Sequence, residues 1–422
     1  MKIGKGLRWK IVWVLFFSTA LNYVNRQTFS LLAPVISTQL HFSHEDLARI
    51  FGAFQITYAW TWLFGGVFLD LVGNRLGLTL AVVWWSISSI LSAAANSLPS
   101  FIFCRALLGV GEGMNWPGAS KVVAEWFPAK ERGVAVAIFD SGSSIGAAIA
   151  AVAIPLLALK FGWRSAFVLS GLFGAVWLVI WLKIYHPIGR HPKLSAAERE
   201  LIRESSPPAA LRPDRKQLLN ILKNRNTWGI LLGRSLTDPM WWFFVFWLPQ
   251  YLSESRGFSL NQLAAFSWIP FLAADVGNFT GGLLSGKLIR SGMPVMRARK
   301  FICVVSCVPM LAGIAAAIVS SPYVALFCIC LALWGYAAWS TMGLTFPSDL
   351  FEQNVVASVT GLSGFGAGMT GTAVTLIAGW LVDRYSYVPA FAFVTALPLL
   401  ATAAVLLLIR ERRKELPLHE AS

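Results

Sequence analysis

Residues 64–75 read Phe64-Gly65-Gly66-Val67-Phe68-Leu69-Asp70-Leu71-Val72-Gly73-Asn74-Arg75, and residues 280–290 read Thr280-Gly281-Gly282-Leu283-Leu284-Ser285-Gly286-Lys287-Leu288-Ile289-Arg290. Each follows an apolar run, opens near a Gly-Gly pair and closes on a basic residue. The two pairs lie about half the chain apart. Trp126-Phe127-Pro128 is echoed by Thr345-Phe346-Pro347 at nearly the same offset. Gly142-Ser143-Ser144-Ile145-Gly146 finds a Gly-rich counterpart in Gly364-Phe365-Gly366-Ala367-Gly368. A repeat of this length predicts two parallel copies of one unit.

The composition says what the units are made of. Of 422 residues, 56% are hydrophobic and 13% charged, whereas a soluble domain carries about 25% charged residues. That excludes a soluble enzyme, a disordered chain and a disulfide-stapled secreted domain. Apolar stretches long enough to span a bilayer fall at about 10–33, 46–69, 76–97, 100–124, 133–157, 164–185, 226–251, 262–286, 300–319, 323–346, 357–382 and 388–409. The prediction is an all-α membrane protein with six spans in 1–185, a cytoplasmic linker in 186–225 and six spans in 226–422. Ser195-Ala196-Ala197-Glu198 reads as a capping box opening a short linker helix, Ala196–Glu204. Pro207-Pro208 ends it, and a second short helix is expected over Arg215–Lys223. The basic start of the chain is not read as a signal peptide, because the first run continues through Asn22-Tyr23-Val24-Asn25-Arg26 without a small-residue cleavage site.

The net charge of +15 is read as an orientation signal. With the N-terminus inside, the external loops hold only Arg49, Lys160, Arg164, Arg256 and Arg384, and the spans hold Arg26, Arg105 and Arg234. The other basic residues face the cytoplasm, which predicts both termini inside. The five cysteines, at 104, 303, 307, 328 and 330, lie in apolar runs without a CxxC or accompanying His pair. They predict buried thiols and no metal site. No phosphate-binding Gly-rich loop and no nucleophile–base set is present, so neither an ATP-driven pump nor an enzyme is expected.

Gly66-x-x-x-Asp70-x-x-Gly73-x-Arg75 resembles the loop motif of the major facilitator superfamily, with Leu71 where that family usually has a basic residue. The resemblance implies that Gly66, Asp70, Gly73 and Arg75 form a conformational latch. A second set of motifs covers nearly the whole chain: Arg105-x-x-x-Gly109-x-Gly111-Glu112-Gly113, Pro117, Glu125-Trp126-Phe127-Pro128-Ala129-Lys130-Glu131-Arg132-Gly133, Asn22-Tyr23-x-x-Arg26, Asn224-Arg225-Asn226-Thr227-Trp228-Gly229, Gly257-Phe258-Ser259-Leu260 and Ala274-Asp275-x-Gly277. It resembles the anion:cation symporter branch, and within it bacterial hexuronate and other sugar-acid transporters.

An ionisable residue inside a span marks a functional site by default. Arg26 suits a substrate carboxylate, which its guanidinium fork can grip bidentately. Arg105 and Glu112 are seven residues apart and share a helix face. The resemblance makes Glu112 the proton-coupling carboxylate and Tyr23 and Tyr58 substrate contacts. It also exposes a departure: Asn25 stands where better-known sugar-acid members have Asp, and an amide carries no proton, so the coupling ion stays open between H⁺ and Na⁺. Arg234 and Asp238, four apart, can pair on one face. Asp275, Asn278 and Asp140 are further polar candidates, Asp140 also for pairing with basic residues at the cytoplasmic side. Trp339 offers a ring to a polyol. The expectation is a monomeric proton-coupled importer of a small anionic sugar acid in the inner (plasma) membrane, with no cofactor and no nucleic-acid partner. Exchange or export by the same fold is the alternative; a non-transporting sensor is disfavoured by the short central loop.

Overall fold

A computed structural model describes residues 6–127, 129–205, 220–351 and 353–410. The first half runs α1 (Leu7–Leu40), α2 (His44–Val72), α3 (Asn74–Ser92), α4 (Leu98–Glu112), α5 (Asn115–Trp126), α6 (Ala129–Phe161) and α7 (Trp163–Ile184). After the linker helix α8 (Ala196–Ser205) come α9 (Arg225–Glu254), α10 (Leu260–Phe266), α11 (Ile269–Arg290), α12 (Val295–Met310), α13 (Ala312–Ile318), α14 (Pro322–Leu350), α15 (Gln353–Arg384) and α16 (Tyr387–Leu408).

All twelve expected spans are present, but three are not the single helices the sequence suggested. The fourth breaks into α4 and α5 at Gly113-Met114, and the eighth into α10 and α11 at Ser267-Trp268. The ninth breaks into α12 and α13 at Leu311, two residues after Pro309. Each break adjoins a proline (Pro117, Pro270 or Pro309), whose missing N–H removes a rung of the helical ladder.

Packing shows the duplication directly. In the first half α1 packs on α6, α2 on α4 and α3 on α7; in the second, α9 packs on α15, α11 on α14 and α12 on α16. Small residues set these approaches. A Cβ on Gly146 of α6 would lie 2.4 Å from the Ala20 carbonyl oxygen of α1, and one on Gly366 of α15 would lie 2.5 Å from the Leu231 side chain of α9. The two halves meet along α1 with α9, α2 with α15, and α6 with α10 and α11. The sequence echo is therefore a pseudo-two-fold in space.

Among the described residues, seven helices are apolar and long enough to count as spans on composition alone. Those that do not are α1, α2, α9, α11 and the broken α4–α5 pair. They carry Arg26, Tyr58, Arg105, Glu112, Arg234, Asp238 and Asp275; the α4–α5 pair drops out because neither piece alone is long enough to span.

The linker helix docks on the start of α1. The Glu198 N–H donates to Ser195 Oγ at 3.2 Å, which is half of the expected capping box. The Glu198 carboxylate instead accepts from the Leu7 and Arg8 N–H groups and from the Arg8 guanidinium at 3.0 Å. Pro207-Pro208 and residues 215–219 lie outside the described residues; 220–223 are helical.

Candidate functional site

Arg26 sits in the middle third of α1 and is 1% exposed. Its Nε donates to Glu112 Oε2 at 3.0 Å, and Nη2 donates to Asn22 Oδ1 at 3.0 Å. Four rings enclose the guanidinium: Tyr23 and Tyr58 at 4.6 Å, Phe54 at 5.1 Å and Trp242 at 5.4 Å. Trp242 comes from α9, so both halves contribute to this box. Aromatic faces stabilise a cation held among them, and they leave little water to solvate it.

Arg105, on α4 and also 1% exposed, lies over Phe54 at 4.8 Å and Phe29 at 5.6 Å. Its Nη2 donates to the Arg26 carbonyl oxygen at 3.4 Å. Among the described residues, Arg105 Nε and Nη1 and Glu112 Oε1 have no hydrogen-bond partner. The arrangement is two buried guanidinium groups sharing one carboxylate. That leaves net positive charge and open donors where the dielectric is low, which is costly unless an anion completes the set.

The structure thus brings Tyr23, Arg26, Tyr58, Arg105 and Glu112 together. Asn25 stands beside the cluster and turns its amide N–H to the Leu21 carbonyl oxygen at 2.9 Å. The second-half residues form a separate group. Arg234 Nη2 donates to Asp238 Oδ2 at 2.8 Å, Nη1 donates to Ser363 Oγ at 3.2 Å, and Tyr336 Oη donates to Asp238 Oδ1 at 3.4 Å. This pair is charge-neutral, so it lacks the electrostatic demand of the Arg26–Arg105 cluster. Removing only Asp238 would strand the Arg234 charge, a loss of about 3–5 kcal/mol for a buried pair. Asp238→Asn is expected to melt well below wild type in detergent, and Arg234→Met/Asp238→Leu to recover much of the loss. Equal melting of the single and double variants would contradict this.

Trp339 is fully buried, and its Nε1 donates to Thr402 Oγ1 at 2.8 Å. In this conformation the indole packs inside the second half and offers a ligand nothing. Asp275 accepts from Ser144 Oγ at 2.6 Å across the α6–α11 seam. Asp140 lies within electrostatic range of Asp275, and no basic partner for it is found among the described residues. Asn278 accepts from Thr341 Oγ1 at 3.0 Å.

At the linker end, Gly73 joins α2 to α3 with φ 79°, a left-handed turn that favours glycine. Arg75 Nη2 donates to the Leu182 carbonyl oxygen at 2.8 Å, and Lys121 Nζ donates to that of Leu69 at 3.0 Å. The Asp70 side chain and the surroundings of Gly66 lie outside what the structure describes.

Sequence reasoning missed Phe54, Trp242 and Tyr336. Aromatic residues among 19 Trp and 29 Phe carry no signal of which few surround a charge. Asn22 was quoted only as part of a motif, and its role as an Arg26 acceptor shows only in space.

This fold, with its buried charges at a seam between two six-span halves, defines a multi-pass membrane transporter rather than an enzyme. The chain belongs to the Major Facilitator Superfamily, whose family model matches residues 15–375. It is 32% identical over 412 residues to the hexuronate transporter of Escherichia coli K12, covering 96% of this chain and 94% of that protein. It is 33% identical over 329 residues to the galacturonate transporter of Dickeya chrysanthemi, covering 77% and 95% respectively. Among solved structures, a bacterial homologue of the lysosomal transporter Spinster superposes with a TM-score of 0.76 at 16% identity, covering 96% of this chain and 97% of that one. The last likeness bears on fold alone.

Proposed function

We propose that the protein is a proton-coupled symporter that imports an anionic sugar acid, a hexuronate or close relative, by alternating access. The observation that carries this reading is the two-arginine, one-carboxylate cluster. Its unfilled guanidinium donors call for an anion, and the relatives that match nearly the whole chain are named for sugar acids. The six-span units at 1–185 and 226–422 rock about this site, with 186–225 as the bridge. The charge distribution supports an inner-membrane protein with both termini cytoplasmic.

The coupling follows from competition for one cation. In the ligand-free arrangement Glu112 is the counter-ion of Arg26. A substrate carboxylate that takes the guanidinium fork, assisted by the open donors of Arg105, displaces Glu112. A carboxylate left in a water-poor site without its cation is stabilised by taking a proton. Substrate and proton therefore favour each other's binding, and the coupling is reciprocal. With amide Asn25 beside Arg26, Glu112 is the single proton carrier of this cluster, and one proton accompanies each anion. Tyr23 and Tyr58 supply hydroxyls for the sugar and keep the site otherwise apolar. Gly66, Asp70, Gly73 and Arg75 latch the linker end in the outward-facing state.

The test is a thermal-shift screen of purified protein against hexuronates, aldonates, aldarates, tartrate and neutral hexoses. A ligand at 100 times its Kd stabilises by about 2.7 kcal/mol. Shifts confined to the acids are expected. Equal shifts from neutral sugars would contradict the role of the arginine pair.

A further inference from the structure

At the end of the bundle remote from the linker, one histidine touches three helices of the other half. His44 opens α2. Its Nδ1 lies 2.6 Å from Asp383 Oδ1 at the end of α15, and its Nε2 lies 2.7 Å from Glu254 Oε2 at the end of α9. A neutral imidazole has one N–H and can donate to only one of these oxygens; both contacts are hydrogen bonds only when the ring is an imidazolium. Asp383 also accepts from the backbone N–H groups of His44 at 3.0 Å and Glu45 at 2.7 Å, so it caps α2 from the opposite half. Glu254 further accepts from Tyr387 Oη of α16 at 2.9 Å and from the Gln250 amide. The Tyr387 ring stands edge-on to His44 at 5.9 Å, and Trp247 stacks on it at 6.2 Å.

The nearby cations are engaged elsewhere. Arg49 pairs with Asp46 and Glu45 on its own helix, Arg256 donates to Tyr251 and to backbone carbonyls, and Arg384 lies over Trp380. Just inside the cluster the backbones of α2 and α15 touch. A Cβ on Gly379 would lie 2.7 Å from the His44 carbonyl oxygen and 2.5 Å from Ala48 Cβ. Alternating access requires this seam to part, and parting it breaks both ring contacts and the cap.

We propose that His44 is a proton-operated bolt: as an imidazolium bridging Glu254 and Asp383 it holds the halves shut at the end remote from the linker, and losing its proton releases them. Burial works against the charge on His44, but the hydrogen bonds and charges of Glu254 and Asp383 outweigh it and hold the ring above its ordinary value. The sign follows. A group raised in the closed state stabilises that state fully below its ordinary value, about 6.5 for imidazole. The stabilisation fades as pH rises through the raised value. The bolt thus ties the resting conformation to the pH of the compartment this end faces. It is independent of which anion is carried.

The experiment uses the full chain with its five native cysteines replaced and spin labels at Thr38→Cys and Asn261→Cys, exposed positions of opposite halves at this end. Electron–electron distances are read without substrate from about pH 5 to about pH 9, either side of the ordinary imidazole value. The short distance is expected to dominate at low pH. A long one grows as pH rises, the open-to-closed ratio changing by up to about tenfold per pH unit in the window. His44→Gln should abolish the pH step, Glu254→Gln should move its midpoint to lower pH, and Glu112→Gln should leave it in place. A wild-type distribution constant with pH, a step that survives His44→Gln, an unmoved midpoint in Glu254→Gln, or a step lost in Glu112→Gln would each overturn the proposal. The Glu112 arm separates failure of the bolt from failure of the coupling scheme.

Discussion

Glu112→Gln is expected to abolish accumulation of the sugar acid against its gradient in proteoliposomes while leaving exchange of labelled for unlabelled substrate intact. Glutamine fills the same volume and can still accept from Arg26 Nε, the contact that Glu112 makes at 3.0 Å. It carries no exchangeable charge, so no proton travels with the anion. One proton and one monovalent anion cross together without net charge, so the membrane potential does no net work and the pH gradient drives accumulation, by about 1.4 kcal/mol or tenfold per pH unit; the variant should lose all of it. Exchange needs only that the loaded carrier reorient, and the loaded carrier keeps its arginines. Accumulation at the wild-type level in this variant would place the proton elsewhere, and the Asp140–Asp275 pair at the α6–α11 seam would be the next residues to test.

Arg26→Lys is the second large effect. The ammonium preserves the charge that Glu112 faces, so the fold keeps its buried pair. It loses the planar fork that grips a carboxylate through two N–H groups. Charge-assisted hydrogen bonds contribute about 1.5–3 kcal/mol each, so the Kd for the sugar acid should rise by about 10- to 150-fold, read by calorimetry. The four rings around the guanidinium sharpen the expectation, because they stack on a flat cation and fit a compact, strongly hydrated ammonium poorly. Unchanged affinity would make Arg26 a purely structural partner of Glu112.

Much of this architecture is legible in the chain. The twelve apolar runs and the half-chain echo give the fold, since bilayer thickness and backbone satisfaction leave few options. Scarcity of charge makes Arg26, Arg105 and Glu112 conspicuous, and the structure joins them. What the chain does not show is pairing. Sequence spacing associates Glu112 with Arg105 on the same helix, yet in space its hydrogen-bonded partner is Arg26, 86 residues away. Hydropathy predicts continuous spans across Gly113-Met114, Ser267-Trp268 and Leu311, because it averages over a window and does not register a single missing N–H. His44 carries no signal in the sequence for a related reason: its partners lie 210 and 339 residues further on. Its chemistry depends on two carboxylates meeting it from the other half. Trp339 is the converse case. A tryptophan in a span beside Ser340 and Thr341 suggests a sugar platform, but tight packing in the second half directs its N–H to Thr402.

In the proposed coupling, an anion displaces Glu112 from Arg26 and Glu112 then takes up a proton. Calorimetric titration of the detergent-solubilised protein with the hexuronate, in two buffers of different ionisation enthalpy, counts that proton directly. The predicted result is uptake of close to one proton per anion bound by the wild type and none by Glu112→Gln. Binding by the wild type with no proton uptake, or equal uptake by both proteins, would contradict it.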